Sequence, residues 1–320
     1  MTPPPSYRLG EPSPMIFHLS AALSGYVQAL LAAPRAGEPD FPWSPRLAAA
    51  AEELGDLDQI EVAREVGARL SATLRGIETW QRHPYRRCVV EPPAIWSAGG
   101  ARLLDYGAIP GAADPDGPPV LVVPSLINRA YVLDLAEPWS MLRWLAARGL
   151  RPALLDWGVP GPAEGGFSLD DYGARRLAPA LRALREAAGR PVSVMGYCMG
   201  GTLAAGFAAR APEGISALAT IGAPWDFEST RGIAGGLRAM LRAEGARRAE
   251  RQIEALGEAF GLVPVSVFQM LFALVSPMQA AIKFQKLSRI DPDSAAARHF
   301  VALEDWLADG VPMPAPAAGE

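Results

Sequence analysis

The sequence predicts an α/β protein, a mostly parallel sheet with flanking helices, led by a helical region and interrupted by a helical insertion. Three observations predict it. From about residue 88 to 225, short aliphatic and β-branched runs alternate with helical stretches. The first 84 residues carry helical periodicity and no strand signal. From about 228 to 290 the strand signal stops and helical stretches return. With 320 residues, 50% apolar and 20% charged, the chain is long enough to bury a sizeable core.

In the N-terminal helical region, residues 1–84, Leu19, Leu23, Tyr26 and Leu30 recur in steps of four, three and four. Val62, Val66, Leu70, Leu74 and Ile77 repeat the pattern, so two amphipathic helices are predicted. They are expected to pack on the main domain; the alternative is a surface for a partner subunit or a hydrophobic polymer. In the α/β core, residues 85–227, the predicted strands are Arg102–Tyr106, Val120–Val123, Ala153–Leu155, Val192–Met195 and Leu218–Ile221. Helices are predicted at Trp139–Arg148, Asp171–Ala188 and Thr202–Ala211. Such alternation implies parallel strands joined by right-handed crossovers. Residues 228–290, which include the apolar stretch Val267–Val275, form the insertion, placed after a central strand as a cap or lid is. Residues 291–320 hold a final helix, Ser294–Leu307, and a Pro/Ala tail from Pro312.

Composition excludes several function classes. A net charge of −4 offers no electrostatic footprint for nucleic acid. Cys88 and Cys198 form no CxxC and no Cys/His ligand spacing, so neither a disulfide framework nor a zinc or other metal site is expected, and a reducing cytoplasm is the expected compartment. The apolar stretch Met15–Ala33 contains His18, Ser20, Ser24 and Gln28 and follows no basic leader, unlike a signal peptide. No transmembrane helix is expected, because no apolar run reaches about 18 residues.

The chemistry-bearing motif is Val192-Ser-Val-Met-Gly196-Tyr197-Cys198-Met199-Gly200-Gly201, a G-x-C-x-G nucleophile elbow with cysteine where serine is usual. An apolar strand runs into it and a small-residue helix (Thr202, Leu203, Ala204, Ala205) runs out. The turn is sharp, so the positions two before and two after the nucleophile must be nearly free of side chain, hence Gly196 and Gly200. The helix N-terminus behind the sulfur favours thiolate, the reactive form. An oxyanion hole needs two backbone N–H groups; Met199 is expected to give one and Ile127, in the loop after the strand Val120–Val123, the other. Cys88 lacks such a setting and is expected to be structural.

These residues resemble a known family. The elbow segment Gly196-Tyr-Cys-Met-Gly-Gly201 is similar to the cysteine-bearing lipase box of polyhydroxyalkanoate synthases, which have the α/β-hydrolase fold. Pro124-Ser-Leu-Ile-Asn-Arg-Ala-Tyr-Val-Leu-Asp-Leu135, Leu155-Asp-Trp-Gly-Val-Pro160, Pro224-Trp-Asp-Phe227 and Leu303-Glu-Asp-Trp306 resemble further segments of that family. The resemblance spans roughly residues 83 to 312. It implies that Cys198 attacks the thioester of an (R)-3-hydroxyacyl-CoA, releases CoA and builds a polyester. It also implies no metal or organic cofactor, a homo- or hetero-oligomer, and a cytoplasmic protein associated with polyester granules.

The sequence departs from that family at one point. Nothing in it resembles the loops that carry the family's catalytic aspartate and histidine, nor the final strands that would bear them. Within the chain, His18 and His83 precede the sheet and are expected to be structural or exposed. His299 sits on a helix with Phe300 and Leu303, packing being the expected role and a stand-in base the alternative. Asp226, at the end of the strand after the elbow helix, is the candidate acid, with cap anchoring or helix capping as the plainer role. Asp156 and Asp170–Asp171 read as a strand end and a helix start. Three functions stay open: the synthase, a non-catalytic granule-binding or partner-subunit homologue, and an esterase or thioesterase.

Overall fold

The computed structural model describes residues 15–38, 40–44, 47–48, 57–226, 251, 253, 255, 257, 259 and 261–319. The expected Phe227 and much of the expected insertion, 228–250 and alternate residues to 260, lie outside them. In chain order the main elements are α1 (Met15–Ala32), α2 (Gln59–Arg82), β1 (Ala94–Ala98), β2 (Ala101–Asp105), β3 (Pro119–Val123), α3 (Met141–Ala146) and β4 (Arg151–Asp156). Then α4 (Leu169–Tyr172) runs through a π-helical turn, Gly173–Leu177, into α5 (Ala178–Ala188). β5 (Val192–Tyr197), α6 (Met199–Arg210), β6 (Ile215–Ile221), α7 (Val265–Val275), α8 (Gln279–Leu287), α9 (Ala295–Ala308) and α10 (Ala315–Gly319) follow. They form two compact units, Met1–Tyr85 with Phe272–Val301, and Arg86–Leu271 with Ala302–Glu320.

In the first unit, α2 starts at Asp58, whose carboxylate accepts the Ile60 N–H at 2.8 Å, a side-chain cap for amides that lack intrahelical partners. Its buried stripe is Ala72, Thr73, Gly76, Ile77 and Trp80. The aliphatic periodicity marks most of the packed face, Leu19, Tyr26, Val66, Leu70 and Ile77, but Leu74 faces solvent, as do Leu23 and Leu30 of α1. Two causes are visible. A Cβ at Gly76 would collide with the Phe284 carbonyl, so α2 approaches α8 through glycine. Buried polar groups also sit in the seam: the Gln285 amide donates to the Tyr26 hydroxyl at 2.6 Å and to Thr73 Oγ1 at 3.2 Å.

The second unit is built on a six-stranded sheet in the order β1-β2-β4-β3-β5-β6. β4, β3, β5 and β6 are mutually parallel, as the alternation predicts, and each predicted strand lies within a residue or a few of an observed one. β1 was not foreseen, and β1–β2 and β2–β4 pair antiparallel. The tight Ala98–Ala101 connection across Gly99 and Gly100 explains the β1–β2 pairing, since a hairpin reverses direction where a crossover would keep it. Trp139 and Ser140 are a short strand paired to Asp134–Ala136, and Ser140 caps α3 by accepting the Arg143 N–H at 3.1 Å. The expected helix therefore starts two residues late.

One face of the sheet (Leu103, Leu121, Val123, Leu155, Val192, Val194) packs on α5 and α6, and the other (Leu104, Val122, Leu154) on α3. The expected Pro/Ala tail is ordered: Met313–Pro314 pairs with Leu262–Val263, and Met313 and Ala317 join the first face's core. Buried ion pairs tie loops to this frame. Asp134, with no exposed surface, accepts from Arg143 at 2.8 and 3.1 Å and from the Tyr106 hydroxyl at 2.9 Å.

Candidate active site

β3 connects to β4 on one side and β5 to β6 on the other, so the two neighbouring central strands send their chains in opposite directions. That divergence opens a crevice at their carboxyl ends, the place where open α/β sheets bind ligands. The elbow and the loop after β3 meet at this edge.

Cys198 lies between β5 and α6 with φ 54° and ψ −132°, the one non-glycine residue at positive φ among the described residues. Its N–H donates to the Ile221 carbonyl at 2.8 Å, and its carbonyl accepts the Gly201 N–H at 2.8 Å, so both backbone groups are held while the side chain is half-buried. The glycine requirement is steric. A Cβ on Gly196 would run into the Gly201 backbone, and one on Gly200 into the carbonyl oxygens of Val123 and Pro124. Gly201 faces the Ala223 methyl in the same way.

Met199, the first residue of α6, has a first-turn N–H that no carbonyl of its own helix can accept. The Ile127 N–H donates to Ser125 Oγ at 3.3 Å, and the Ile127 carbonyl accepts from Val311 at 3.1 Å. The Tyr197 hydroxyl is pushed up from its usual value by burial first and then by the charge of neighbouring Cys198. Asp226 is exposed on the loop after β6, which is tied to α6 where Thr202 Oγ1 donates to the Pro224 carbonyl at 2.6 Å. Cys88 is exposed, so the structural role expected for it has no buried contact behind it.

Residues that sequence reasoning did not single out for the site position its loops. Trp157 Nε1 donates to the Pro124 carbonyl at 3.0 Å, fixing the start of the loop after β3. Trp306 Nε1 donates to the Arg129 carbonyl at 2.7 Å, and a bridge joins Asn128 to Gly310. Arg129 pairs with Asp309 at 3.2 Å, and Tyr131, which also bonds Asp309, is pushed above its usual range by burial first and then by that carboxylate. The turn signal Asp309-Gly310 marks the clamp in the sequence, but not its partner.

The histidines belong to the first unit, so residues 86–271 and 302–320, which hold Cys198, contain none. His83 is a strut: its Nδ1 accepts the Tyr85 N–H at 3.1 Å, leaving Nε2 to bond the Pro292 carbonyl at 2.8 Å. His18 lies in α1, and His299 is half-buried on α9. Among the described residues no cluster of three or more His, Cys, Asp or Glu could hold a metal ion, and no single helix is long and apolar enough to cross a membrane.

Comparison with known proteins bears on the fold. A family model for the alpha/beta hydrolase fold matches residues 118–238. The poly(3-hydroxyalkanoate) polymerase subunit PhaC of Haloferax mediterranei is 31% identical over 198 residues, 60% of this chain and 38% of that protein. PhaC of Haloarcula marismortui is 29% identical over 68% of this chain and 46% of its own length. PhaC of Allochromatium vinosum is 27% identical over 68% and 59%. The chain thus spans between 38% and 59% of the length of these relatives. This chain has the α/β-hydrolase fold and is related in sequence to the poly(3-hydroxyalkanoate) polymerase subunits.

Proposed function

We propose that the chain is an acyltransferase of the polyhydroxyalkanoate synthase type, with Cys198 as its nucleophile. The observation that carries this reading is a half-buried cysteine in a strained turn, at the head of α6 and beside the crevice between β3 and β5. The Cys198 thiolate attacks the thioester carbonyl of an (R)-3-hydroxyacyl-CoA. The carbon–sulfur bond to CoA breaks, CoA leaves as its thiol after taking a proton, and the acyl group stays on Cys198. The hydroxyl of one acyl unit then attacks a second acyl thioester, forming an ester and freeing the thiol. Met199 and Ile127 amides stabilise the oxyanion, Ile127 after release from Ser125 Oγ. Thiol–thioester exchange is nearly balanced in energy and requires no metal or organic cofactor. Asp226, exposed beside α6, is the acid available to orient a base.

A second reading has its own support. The unit holding Cys198 contains no histidine, and a positioned base contributes about 10²–10⁴-fold. In this reading the chain is a non-catalytic relative that binds polyester or pairs with an active subunit. Incubating the purified chain with (R)-3-hydroxybutyryl-CoA separates the readings. CoA release with polymer is the expected result. Hydrolysis of short acyl esters without polymer would replace the proposal with an esterase or thioesterase, and absence of both would leave the non-catalytic reading.

A further inference from the structure

A cavity of about 180 Å³ lies at the carboxyl edge of the sheet, two strands from Cys198. Its floor is Leu104 of β2 and Leu154 of β4, both buried, and Tyr131 from the loop after β3 forms a wall. Asp156, the last residue of β4, lines it beside its cross-strand partner Arg102. Glu91, Arg87, Arg129 and Asp309 also line it. One water takes up about 30 Å³, so the space suits a ring or a phosphate group. We propose that this cavity binds a nucleotide, taking an amino-bearing base on Arg102 and Asp156 and a phosphate on Arg87.

The lining selects this ligand by paired donors and acceptors. Arg87, Arg102 and Arg129 face Glu91, Asp156 and Asp309, so no net charge draws in a bare anion. Arg102 donates to Glu91 at 2.8 and 3.1 Å and to Asp156 at 2.8 Å, which holds a guanidinium and a carboxylate side by side. A base edge with an amine next to a ring nitrogen needs that pattern: Asp156 accepts from the amine, and Arg102 Nε donates to the nitrogen. Leu104, Leu154 and Tyr131 supply apolar and aromatic surface for the ring. Arg87 is placed differently. It is 3.9 Å from the Asp134 carboxylate, but Arg143 and the Tyr106 hydroxyl already fill that group. Its guanidinium lies over the Tyr131 ring, 4.7 Å from the centroid, and Nη2 donates to the Asp134 carbonyl at 2.9 Å. Among the described residues its Nε and Nη1 make no hydrogen bond, which leaves charged donors for a phosphate.

Such a group has two sources, a free nucleotide such as ADP and CoA itself, the latter resting on the synthase reading. Neighbouring strands lie about 4.8 Å apart, so the cavity is about 10 Å from the elbow, within reach of the pantetheine arm that joins the phosphates of CoA to its thioester. Arg129 and Tyr131 follow Ile127 by two and four residues, so a bound nucleotide touches the loop that carries the oxyanion donor.

The test is calorimetric titration of the full chain with ADP and with CoA. Wild type is expected to bind ADP, and Arg87→Ala with unchanged circular dichroism to bind it at least tenfold more weakly. Glu91→Gln removes a half-exposed carboxylate from the lining and should tighten ADP binding at least twofold, a gain that misfolding cannot imitate. CoA that ADP displaces identifies the substrate as the source, and ADP binding without CoA binding identifies a free nucleotide. No ADP binding by wild type, a folded Arg87→Ala that binds like wild type, or bound CoA that ADP fails to displace overturns the proposal. Equal affinity for inorganic phosphate and ADP does so too, because the base then contributes nothing. Cys198→Ala is expected to retain ADP binding. An acyl adduct on Cys198 in a chain that binds no ADP leaves the synthase reading standing and removes this one. ADP binding by a chain that forms no adduct does the reverse.

Discussion

Cys198 occupies a backbone conformation in which a side chain costs about 1–3 kcal/mol. That cost gives a stability signature separable from reactivity. Cys198→Ala keeps a Cβ in the strained turn and should unfold in urea close to wild type. Cys198→Gly removes the Cβ and should be about 1 kcal/mol more stable than Cys198→Ala, despite glycine's greater unfolded-state entropy. Equal midpoints would mean that the turn is unstrained. The elbow was legible in the sequence because its demands are local: Gly196, Cys198 and Gly200 meet their constraints within a strand, a turn and a helix. The clamp on the loop after β3 was not, because Trp306 and Arg129 are 177 residues apart and a side-chain-to-carbonyl bond leaves no periodic trace. His83 read correctly as structural, but the Pro292 carbonyl that makes it so is equally remote in sequence.

Among the elements, β6 is the exposed edge of the sheet in the described residues. It pairs with β5 along one side, and Ser216 through Ile221 are exposed on both of its faces. Strands of a parallel sheet are ordinarily covered on both faces, and an edge without charge is a template for association. The segment Ile215–Ile221 contains no charged residue. The isolated chain is therefore predicted to self-associate, and Leu218→Lys to shift it toward smaller species in light scattering. A clean wild-type monomer would contradict this.

At the opposite side of the sheet, Glu164 anchors the segment between β4 and α4. Burial works against its charge, but the Arg176 guanidinium and the amides of Gly161 and Gly100 outweigh burial and hold its carboxyl below the usual value. A folded value below the unfolded one means stabilisation that is full above about pH 4.5 and lost as pH falls through the folded value. Glu164→Gln should cost about 3–5 kcal/mol at pH 7 and flatten the acid limb of the stability profile. An unchanged acid limb would show that the pair does not set it. Parallel strands were legible from their aliphatic runs. The antiparallel β1 was not, because Ala94–Ala98 mixes small and aromatic residues without an apolar run and follows a proline pair at Pro92–Pro93.

For the whole molecule, the sequence reading located the α/β core, its parallel strands and the elbow. In the first unit it found part of the buried face, Tyr26 and Ile77 among it, and missed Ala72 and Gly76, because a tight crossing uses small residues where aliphatic periodicity expects leucine. The ordered ending from Met313 to Gly319 was likewise hidden by a Pro/Ala composition that fits a loose tail equally well. What joins these parts into a function is the claim that Cys198 is acylated by a hydroxyacyl thioester. Intact mass after incubation with (R)-3-hydroxybutyryl-CoA, beside Cys198→Ala, tests it most directly. The account predicts one or more added hydroxybutyryl groups on wild type and none on Cys198→Ala. An unmodified wild-type chain, or equal modification of both proteins, would contradict it.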